Sequence, residues 1–227
     1  MQVAVRLGLI ADIHGNKPAL EAVLDSAPQV DCWVCMGDVL GYYPDVNEVC
    51  QILIGIDATV VRGNHDAYVL GQLPVDAKKM ELYRTAWTRE HLKREHYQWL
   101  STLPVEMNLR FGRTQLKIRH ASPWDEETYL YSDSPVLSHI QLERDTYFLC
   151  GHTHHPFVKA AGKGYIVNPG SVGQPRDYNP RASYAILSLE GGAVEHCRAA
   201  YDVASYQRHL SDLGWPDATR DILSRSR

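Results

Sequence analysis

Short apolar runs alternate with amphipathic stretches through the first part of the chain. Three of these runs are predicted to be buried strands: Val3–Ala11, Asp31–Met36 and Ala58–Arg62. Lys17–Leu24 is predicted to be a helix, with Asn16 as its N-cap and Pro18 in its first turn. A second helix is indicated by apolar residues at helical spacing, at Val46, Val49, Ile52 and Leu53. This alternation is typical of βαβ units in a largely parallel sheet, whose ligands bind at the carboxyl ends of the strands.

The later half of the chain has a different pattern, in which short strands follow one another with few helices between them. Two hairpins are predicted, Val105–Leu109 with Gln115–Arg119 and Ser183–Leu189 with Ala193–Ala199. Further strands are predicted at Tyr147–Cys150, Phe157–Ala161 and Tyr165–Asn168. We therefore expect a more antiparallel second sheet, packed face to face on the first with helices outside.

Three segments are less regular. Residues 130–142 fit either a helix or a loop, and residues 203–213 are predicted to be a helix followed by a tail that frays after Pro216. Residues 76–103 read as a polar helical insert in a single domain that spans residues 1–227. Two interpretations of this insert stay open. It is a solvated helical pair packed by its aromatic residues, or it is a cap whose basic residues select the substrate.

Composition narrows the class of protein. The 227 residues are 44% hydrophobic and carry a net charge of −4, so no strong positive field attracts nucleic acid. No apolar run is long enough to cross a membrane. Five scattered cysteines do not form a disulfide framework and favour a reducing cytoplasm. Cys32 and Cys35 have the spacing of a redox or zinc motif, but without a second pair they are interpreted as buried structural thiols.

Polar residues that bind metals follow several of the predicted strands. They form four clusters and one single residue: Asp12-Ile13-His14, Gly37-Asp38, Gly63-Asn64-His65-Asp66, His120 and Gly151-His152-Thr153-His154. Oxygen and imidazole ligands at several strand ends suit a site for two divalent cations. Two such ions carry four positive charges, of which Asp12 and Asp38 neutralise two. The remaining positive charge is well suited to a phosphate ester and to hydroxide.

These five blocks, in this order, resemble the signature of the calcineurin-like metallophosphoesterase superfamily. The resemblance implies an α/β fold, a four-layer α/β/β/α sandwich in which helices flank two mixed sheets. It implies that Asp12, His14 and His154 bind one metal, that Asn64, His120 and His152 bind the other, and that Asp38 bridges both. His65 would donate a proton to the leaving group or stabilise charge on the phosphate, and Asp66 would orient His65 through a hydrogen bond.

The sequence departs from the superfamily signature at some positions, and these departures indicate which members of the superfamily it resembles. Gly41 stands where many members have an acidic residue, and the Asp-Arg-Gly extension of protein serine/threonine phosphatases is missing. The segment 168–176 resembles one that follows the last block in small bacterial and archaeal phosphoesterases. Its backbone amides and Arg176 would face a phosphate, or the segment is a purely structural turn. Histidines outside the blocks, such as His155, are interpreted as ordinary surface or packing residues.

The expected function is hydrolysis of a small phosphate ester by direct attack of a metal-bridging hydroxide. A phosphodiesterase is the primary prediction, with contacts to substrate from Asn64, His65 and Arg176. The alternatives are a phosphomonoesterase, a dinucleoside polyphosphate hydrolase and a non-catalytic protein-binding scaffold of the same fold. Manganese is the expected metal, with iron, nickel or zinc as alternatives. The sequence does not indicate an oligomeric state.

Overall fold

The computed structural model describes residues 5–225, which form two five-stranded sheets with helices around them. In this part of the chain the strands are β1 (Arg6–Ile10), β2 (Cys32–Cys35), β3 (Thr59–Val60), β4 (Glu106–Phe111), β5 (Thr114–Arg119), β6 (Thr146–Leu149), β7 (Phe157–Ala161), β8 (Gly164–Asn168), β9 (Ala182–Ser188) and β10 (Ala193–Ala199). The α-helices are α1 (Lys17–Ser26), α2 (Val46–Gly55), α3 (Asn64–Leu70), α4 (Ala77–Leu82), α5 (Thr85–His91), α6 (Arg94–Thr102), α7 (Val203–Asp212) and α8 (Asp217–Asp221).

The first sheet joins the parallel strands of the N-terminal part to the C-terminal hairpin, in the order β10-β9-β1-β2-β3. Leu9 pairs with Val34 of the parallel strand β2 on one side and with Ala185 of the antiparallel strand β9 on the other. The predicted parallel unit is therefore confirmed, with the C-terminal hairpin added at its edge. Val3 and Ala4 of the predicted first strand lie outside the described residues.

The second sheet has the order β4-β5-β6-β8-β7 and is mixed. The pairs β4–β5 and β7–β8 are antiparallel hairpins, whereas β5–β6 and β6–β8 are parallel. The expectation of a second sheet more antiparallel than the first was therefore wrong, because in the described part of the chain each sheet contains two parallel and two antiparallel strand pairs. The reason is the long connection between β5 and β6, because a crossover of that length lets the chain return in the same direction.

The two sheets pack face to face through their apolar inner faces. Side chains from both sheets share one buried cluster, to which Leu9, Met36, Ile118, Leu149 and Val167 belong. On the outer face of the first sheet, helices α1, α2 and α6 contribute buried residues to a second cluster. The predicted fold class, an α/β sandwich of two mixed sheets flanked by helices, is confirmed. That residues 1–227 form a single domain stays a prediction.

The outer face of the second sheet is covered mainly by the β5–β6 connection. A short 3₁₀ helix, Pro135–His139, lies in this connection and places Leu137 in a cluster with Phe148 and Ile166. The segment that fitted either a helix or a loop is therefore largely a loop. No helix among residues 5–225 is both long and apolar enough to cross a membrane.

Two expectations about helices were wrong. The stretch predicted as a helical pair contains three short helices, because Arg84 takes a left-handed conformation (φ 56°) between α4 and α5. The tail after Pro216 does not fray within the described residues. It forms α8 and a 3₁₀ turn, and buried Leu223 packs in a cluster with Tyr43 and Trp215.

Candidate metal centre

The carboxyl ends of strands from both sheets bring the predicted ligands to one place. Asp12 and His14 follow β1, Asp38 follows β2, His120 follows β5, and His152 follows β6. Backbone hydrogen bonds join these loops. The amides of Asp12 and His14 donate to the carbonyls of Gly37 and Asp38, each at 3.0 Å, and the amide of Gly151 donates to His120 at 2.8 Å.

Five of the seven predicted metal ligands have left-handed backbone conformations. Their φ angles lie between 53° and 67°, at Asp12, His14, Asp38, His152 and His154. This region is unfavourable for residues other than glycine by about 1–2 kcal/mol each. Such strain persists where the surrounding structure holds it, and it clusters at functional sites. Here it turns successive side chains from the strand ends toward a common centre.

The side chains meet in buried groups that have the spacing of metal ligands. Asp12, His14 and His154 form one such group, and their candidate ligand atoms all lie within 4.8 Å of one another. Asp38, His120 and His152 form a second, and Asp38 also groups with His14 and His65. The grouping of the histidines matches the two sets that the resemblance implied, with Asp38 between them.

Asp38 occupies the middle of the cluster. Its Oδ2 atom lies 3.2 Å from Nε2 of His120, 3.8 Å from Nε2 of His14 and 3.9 Å from Nε2 of His65. Its other oxygen accepts a hydrogen bond of 2.9 Å from the backbone amide of His65. One carboxylate oxygen of Asp38 therefore faces histidines of both groups.

Backbone carbonyls fix the tautomers of four histidines. Nδ1 of His14, His120 and His154 lies 3.1, 2.6 and 2.6 Å from the carbonyls of Leu40, Met36 and Gln174, respectively. For His152 the corresponding contact is Nε2 to the Glu127 carbonyl, at 3.0 Å. Because a carbonyl only accepts, the proton is on the nitrogen that contacts it. The other nitrogen of each neutral ring then presents a lone pair to the cluster, the usual arrangement of metal-binding histidines.

Two of these lone pairs point at each other. Nε2 of His14 and Nε2 of His154 are 3.1 Å apart in the buried interior, and both rings donate through Nδ1. Two nitrogen lone pairs at this distance repel unless a cation or a proton lies near both. Nε2 of His154 is also 3.6 Å from Oδ1 of Asp12. This arrangement fits a metal ion that takes ligands from all three residues.

Unpartnered polar atoms give a second sign of a cation site. Oδ1 of Asn64 is buried without a hydrogen-bond partner among the described residues, and Nε2 of His120 has only the Asp38 carboxylate beside it, at 3.2 Å. Burying an atom such as Asn64 Oδ1 unpaired costs about 1–3 kcal/mol. Both belong to the predicted second metal-binding set. The donor set therefore fits divalent cations.

The pKa values of the clustered side chains show which charges a bound cation would compensate. Burial raises the pKa of Asp12 to about 7, since His120 only partly offsets it. Burial also opposes ionisation of Asp38, but His120, His65 and His14 together hold its pKa well below the usual range. The pKa of His120 is raised to about 9 because Asp38 and Asp12 outweigh its burial. Burial lowers the pKa of His14 to about 4.

His65 lies beside the cluster, but it does not form the predicted hydrogen bond with Asp66. Within the described part of the chain, Nδ1 of His65 has no hydrogen-bond partner. The Asp66 carboxylate instead accepts hydrogen bonds from the backbone amides of Gly63, Leu40 and Val39, at 3.0, 3.0 and 3.3 Å. Asp66 therefore caps α3 and ties this helix to the loop after β2. The expectation that it hydrogen-bonds His65 was wrong, because its position in the first turn of α3 directs it toward backbone amides.

Gly41 has a geometric reason to be glycine. Its φ angle is +97°, and a Cβ atom on it would lie 2.6 Å from Nδ1 of His65. A larger residue would push the His65 ring out of place. The missing acidic residue at this position therefore makes room for the imidazole.

The segment 168–176 braces the site, as one of its two predicted roles required, and the phosphate contact of Arg176 stays a prediction. The amides of Val172 and Gly173 donate to the carbonyls of Ala11 and Asp12, so they brace the loop after β1 and do not face a phosphate. The Arg176 side chain is close enough to the cluster for its charge to lower the pKa of both Asp12 and His154. Its guanidinium donates to Oε1 of Gln174 at 2.9 Å and to the Tyr42 hydroxyl at 3.1 Å.

Tyrosines around the cluster were not predicted. The ring centroid of Tyr42 lies 5.1 Å from that of His65, Tyr83 lies 4.1 Å from His65, and Tyr129 lies 4.0 Å from His152. They come from the loop after β2, the end of α4 and the β5–β6 connection. No local pattern identifies them, because a tyrosine at a helix end or in a loop is common.

Comparison with known proteins agrees with this geometry. A family model described as the calcineurin-like phosphoesterase superfamily domain matches residues 5–192. An uncharacterised protein of Methanocaldococcus jannaschii is 31% identical over 215 residues, which cover 87% of this chain and 88% of that protein. Phosphodiesterase YfcE of Escherichia coli is 29% identical over 203 residues, covering 81% and 87% of the two chains.

A solved structure shows the same architecture. The crystal structure of a metallophosphoesterase from Sphaerobacter thermophilus superposes with a TM-score of 0.80 at 31% identity, and the match covers 98% of this chain and 99% of that one. The family model and this structure both extend over most of the described residues. The chain is therefore a phosphoesterase that belongs to the calcineurin-like phosphoesterase superfamily.

Proposed function

We propose that this chain is a phosphodiesterase that uses two divalent cations. The observation that carries the proposal is the meeting of Nε2 of His14 and Nε2 of His154 at 3.1 Å, next to a carboxylate shared by further histidines. Asp12, His14 and His154 would hold one ion. Asn64, His120 and His152 would hold the other, and Asp38 would contact both.

The bound ions would supply Lewis-acid polarisation of the phosphate and would lower the pKa of water, so that hydroxide is available near neutral pH. Backbone carbonyls of the protein hold the metal-binding side chains in place. The carbonyls of Met36, Leu40, Glu127 and Gln174 hold the imidazoles in the tautomers that bind metal. We propose direct attack of hydroxide on phosphorus, with no phosphorylated residue.

His65 is placed to assist the leaving group. Its Nε2 is 3.9 Å from Oδ2 of Asp38, and its Nδ1 has no partner in the described part of the chain. An N–H group of this ring can therefore donate to a substrate oxygen without first breaking a protein hydrogen bond. Both proposed roles, proton donation to the leaving alkoxide and stabilisation of charge on the phosphate, are consistent with this position. Burial lowers the pKa of His65 well below its usual range, which favours a neutral N–H group that stabilises charge.

The charges around the cluster favour a diester over a monoester. Arg176 supplies one positive charge, and its guanidinium is already held by Gln174 and Tyr42. The two proposed metal ions would serve either ester, and Arg176, already engaged by protein partners, is not free to clamp the second negative charge that a terminal phosphate carries. The name of the related E. coli protein, phosphodiesterase YfcE, supports the same choice. We propose Asn64, His65 and Arg176 as the substrate-binding residues.

Manganese is the proposed metal, with Fe, Ni²⁺ and Zn²⁺ as alternatives, because mixed nitrogen and oxygen ligands suit all four and availability in the cell decides among them. The proposed substrate is a small phosphate ester. We propose a cytoplasmic location, which the free thiols of all five cysteines support.

A substrate panel tests the proposal. The purified protein is treated with chelator and then supplied with Mn²⁺, Ni²⁺ or Zn²⁺. Hydrolysis of bis-p-nitrophenyl phosphate, p-nitrophenyl phosphate and diadenosine tetraphosphate is then measured. We expect the diester to give the highest kcat/KM, with no turnover in chelator and recovery with Mn²⁺.

Each alternative has its own result in this panel. Preference for p-nitrophenyl phosphate would identify a phosphomonoesterase, and preference for diadenosine tetraphosphate a dinucleoside polyphosphate hydrolase. Binding of metal without turnover of any substrate would favour a protein-binding scaffold. Activity that persists in excess chelator would overturn the metal-dependent mechanism.

A further inference from the structure

Two tyrosines next to the metal centre present flat, exposed surfaces. The rings of Tyr129 and Tyr131 are nearly parallel, with an angle of 7° between their planes and 6.0 Å between their centroids. Their side chains are 45% and 39% exposed. Tyr129 also stacks on the ring of His152, with centroids 4.0 Å apart. We call Tyr129 and Tyr131 the tyrosine platform.

The platform is adjacent to the reacting centre. Through His152 it touches the second proposed metal-binding set. Burial raises the pKa of Tyr129 and of Tyr83, and the charge of Arg176 partly offsets the rise in both. Tyr83 itself lies beside His65. The platform therefore borders the proposed metal site through the contact of Tyr129 with His152.

The loop that carries the platform is held rigidly before any substrate binds. The Asp125 carboxylate accepts from the amides of Glu127 and Thr128 at 2.9 and 2.6 Å. The Glu127 side chain accepts from the Tyr68 hydroxyl, and the Tyr131 amide donates to Ser134 at 2.9 Å. A pre-formed surface loses little entropy when a ligand stacks on it, since a tyrosine side chain has only two rotatable angles.

The charge of this loop indicates what the platform binds. The β5–β6 connection, residues 120–145, contains six acidic residues and one basic residue, Arg144. Further phosphate groups lying on the platform would be repelled, whereas an uncharged planar ring would not. Planar rings, and nucleobases in particular, stack on tyrosine without needing specific hydrogen bonds.

We propose that Tyr129 and Tyr131 form a stacking subsite for a planar ring carried by the substrate, so that the preferred diester bears a nucleobase or a comparable aromatic group next to the phosphate. This proposal rests on the proposed function, because it names the class of diester which that site accepts. His155 contributes by packing its ring edge against Tyr131, at 5.6 Å between centroids. It is then a positioning residue for the platform.

The first test compares diesters that release the same p-nitrophenolate and differ in the group that remains. These are the ethyl, phenyl and thymidine 5′ esters of p-nitrophenyl phosphate. We expect the ratio of kcat/KM for the thymidine ester to that for the ethyl ester to fall about tenfold in Tyr131→Leu, the loss typical of removing one stacking aromatic side chain. Tyr165→Leu is the matched control, because Tyr165 is also 45% exposed but lies in β8.

The arms of this test separate the possible outcomes. A phenyl ester that behaves like the thymidine ester identifies any planar ring as the ligand, and one that behaves like the ethyl ester identifies the nucleoside. An unchanged ratio in Tyr131→Leu, or an equal fall in Tyr165→Leu, would overturn the platform. For the Tyr129→Leu variant, the metal content of the protein is measured beside its activity, because Tyr129 contacts the proposed metal ligand His152.

Equilibrium binding gives a readout that does not need turnover. Calorimetry compares adenosine 5′-monophosphate with methyl phosphate on the wild-type protein and on Tyr131→Leu. Tighter binding of the nucleotide, weakened about tenfold by the substitution, supports the platform. Equal affinities in the wild-type protein contradict it. If none of the diesters is hydrolysed, the proposed function fails, and this binding comparison still decides the platform.

Discussion

Cation binding should release protons, and the number released should fall as pH rises. In the metal-free protein the pKa of Asp12 is about 7 and that of His120 is about 9, so both groups are largely protonated at pH 6.5. Both must lose their protons to bind metal. We therefore expect release of nearly two protons per protein at pH 6.5, about one at pH 8 and clearly less than one above pH 9.

The same groups set the stability of the metal-free protein. The pKa of Asp12 is raised from 3.8 to about 7, so its contribution is full below pH 3.8 and about 4 kcal/mol is lost by pH 7. The pKa of His120 is raised from 6.5 to about 9, so about 3 kcal/mol is lost between those values. His14 and His152, whose pKa values burial lowers to about 4, act in the opposite direction between pH 4 and 6.5. Between pH 7 and 9 stability should therefore fall without metal, and added cation should reverse the loss.

Two measurements check this prediction. Titration calorimetry with Mn²⁺, repeated in buffers of different ionisation enthalpy, gives the number of protons released at each pH. Urea unfolding of the chelated and loaded proteins gives the free energy of unfolding from pH 6.5 to 9. Proton release that does not change with pH, or a stability gain from Mn²⁺ that shrinks as pH rises, would refute the role given to Asp12 and His120.

Three substitutions test other parts of the site. Asp38→Asn should weaken the binding of both ions by about 100-fold or more and abolish turnover, whereas Asp45→Asn, outside the site, should retain both metals in elemental analysis. His65→Ala should keep its metals but lose about 100- to 10,000-fold in kcat for esters with poor leaving groups, and loss of the metals would show that His65 is a ligand. Gly41→Ala should lower kcat by about tenfold or more by displacing His65. Gly214→Ala is the control, because Gly214 also has a positive φ, +72°, but has open space where a Cβ atom would lie. It should strain only the backbone and leave kcat unchanged. An equal fall in kcat in both variants would contradict the steric argument.

Much of the fold was predictable because its signals are local. The apolar runs at β1, β2 and β6 are short and bounded by polar residues, and the N-cap at Asn16 is confirmed by a 3.1 Å hydrogen bond from the Ala19 amide. The course of the second sheet was less predictable. Whether β5 and β6 pair in parallel depends on the path of the long loop between them. The residue pattern within each strand does not indicate that path.

The residues of the site could be predicted from the sequence, but several of their contacts could not. Spacing and resemblance grouped Asp12, His14 and His154, and the structure brings these side chains together. The hydrogen bonds of Asp66 depend instead on the exact start of α3, which the sequence pattern did not reveal. The approach of Tyr83 to His65 requires the break at Arg84, a left-handed residue without a sequence signal.

The most direct test of the account is a crystal of the protein grown with Mn²⁺, with diffraction data collected on both sides of the manganese absorption edge. We expect two anomalous peaks, one beside Asp12, His14 and His154 and one beside Asn64, His120 and His152, with Asp38 in contact with both. The same fold with a single peak, or with no peak among these side chains, would contradict the claim that they hold a pair of cations.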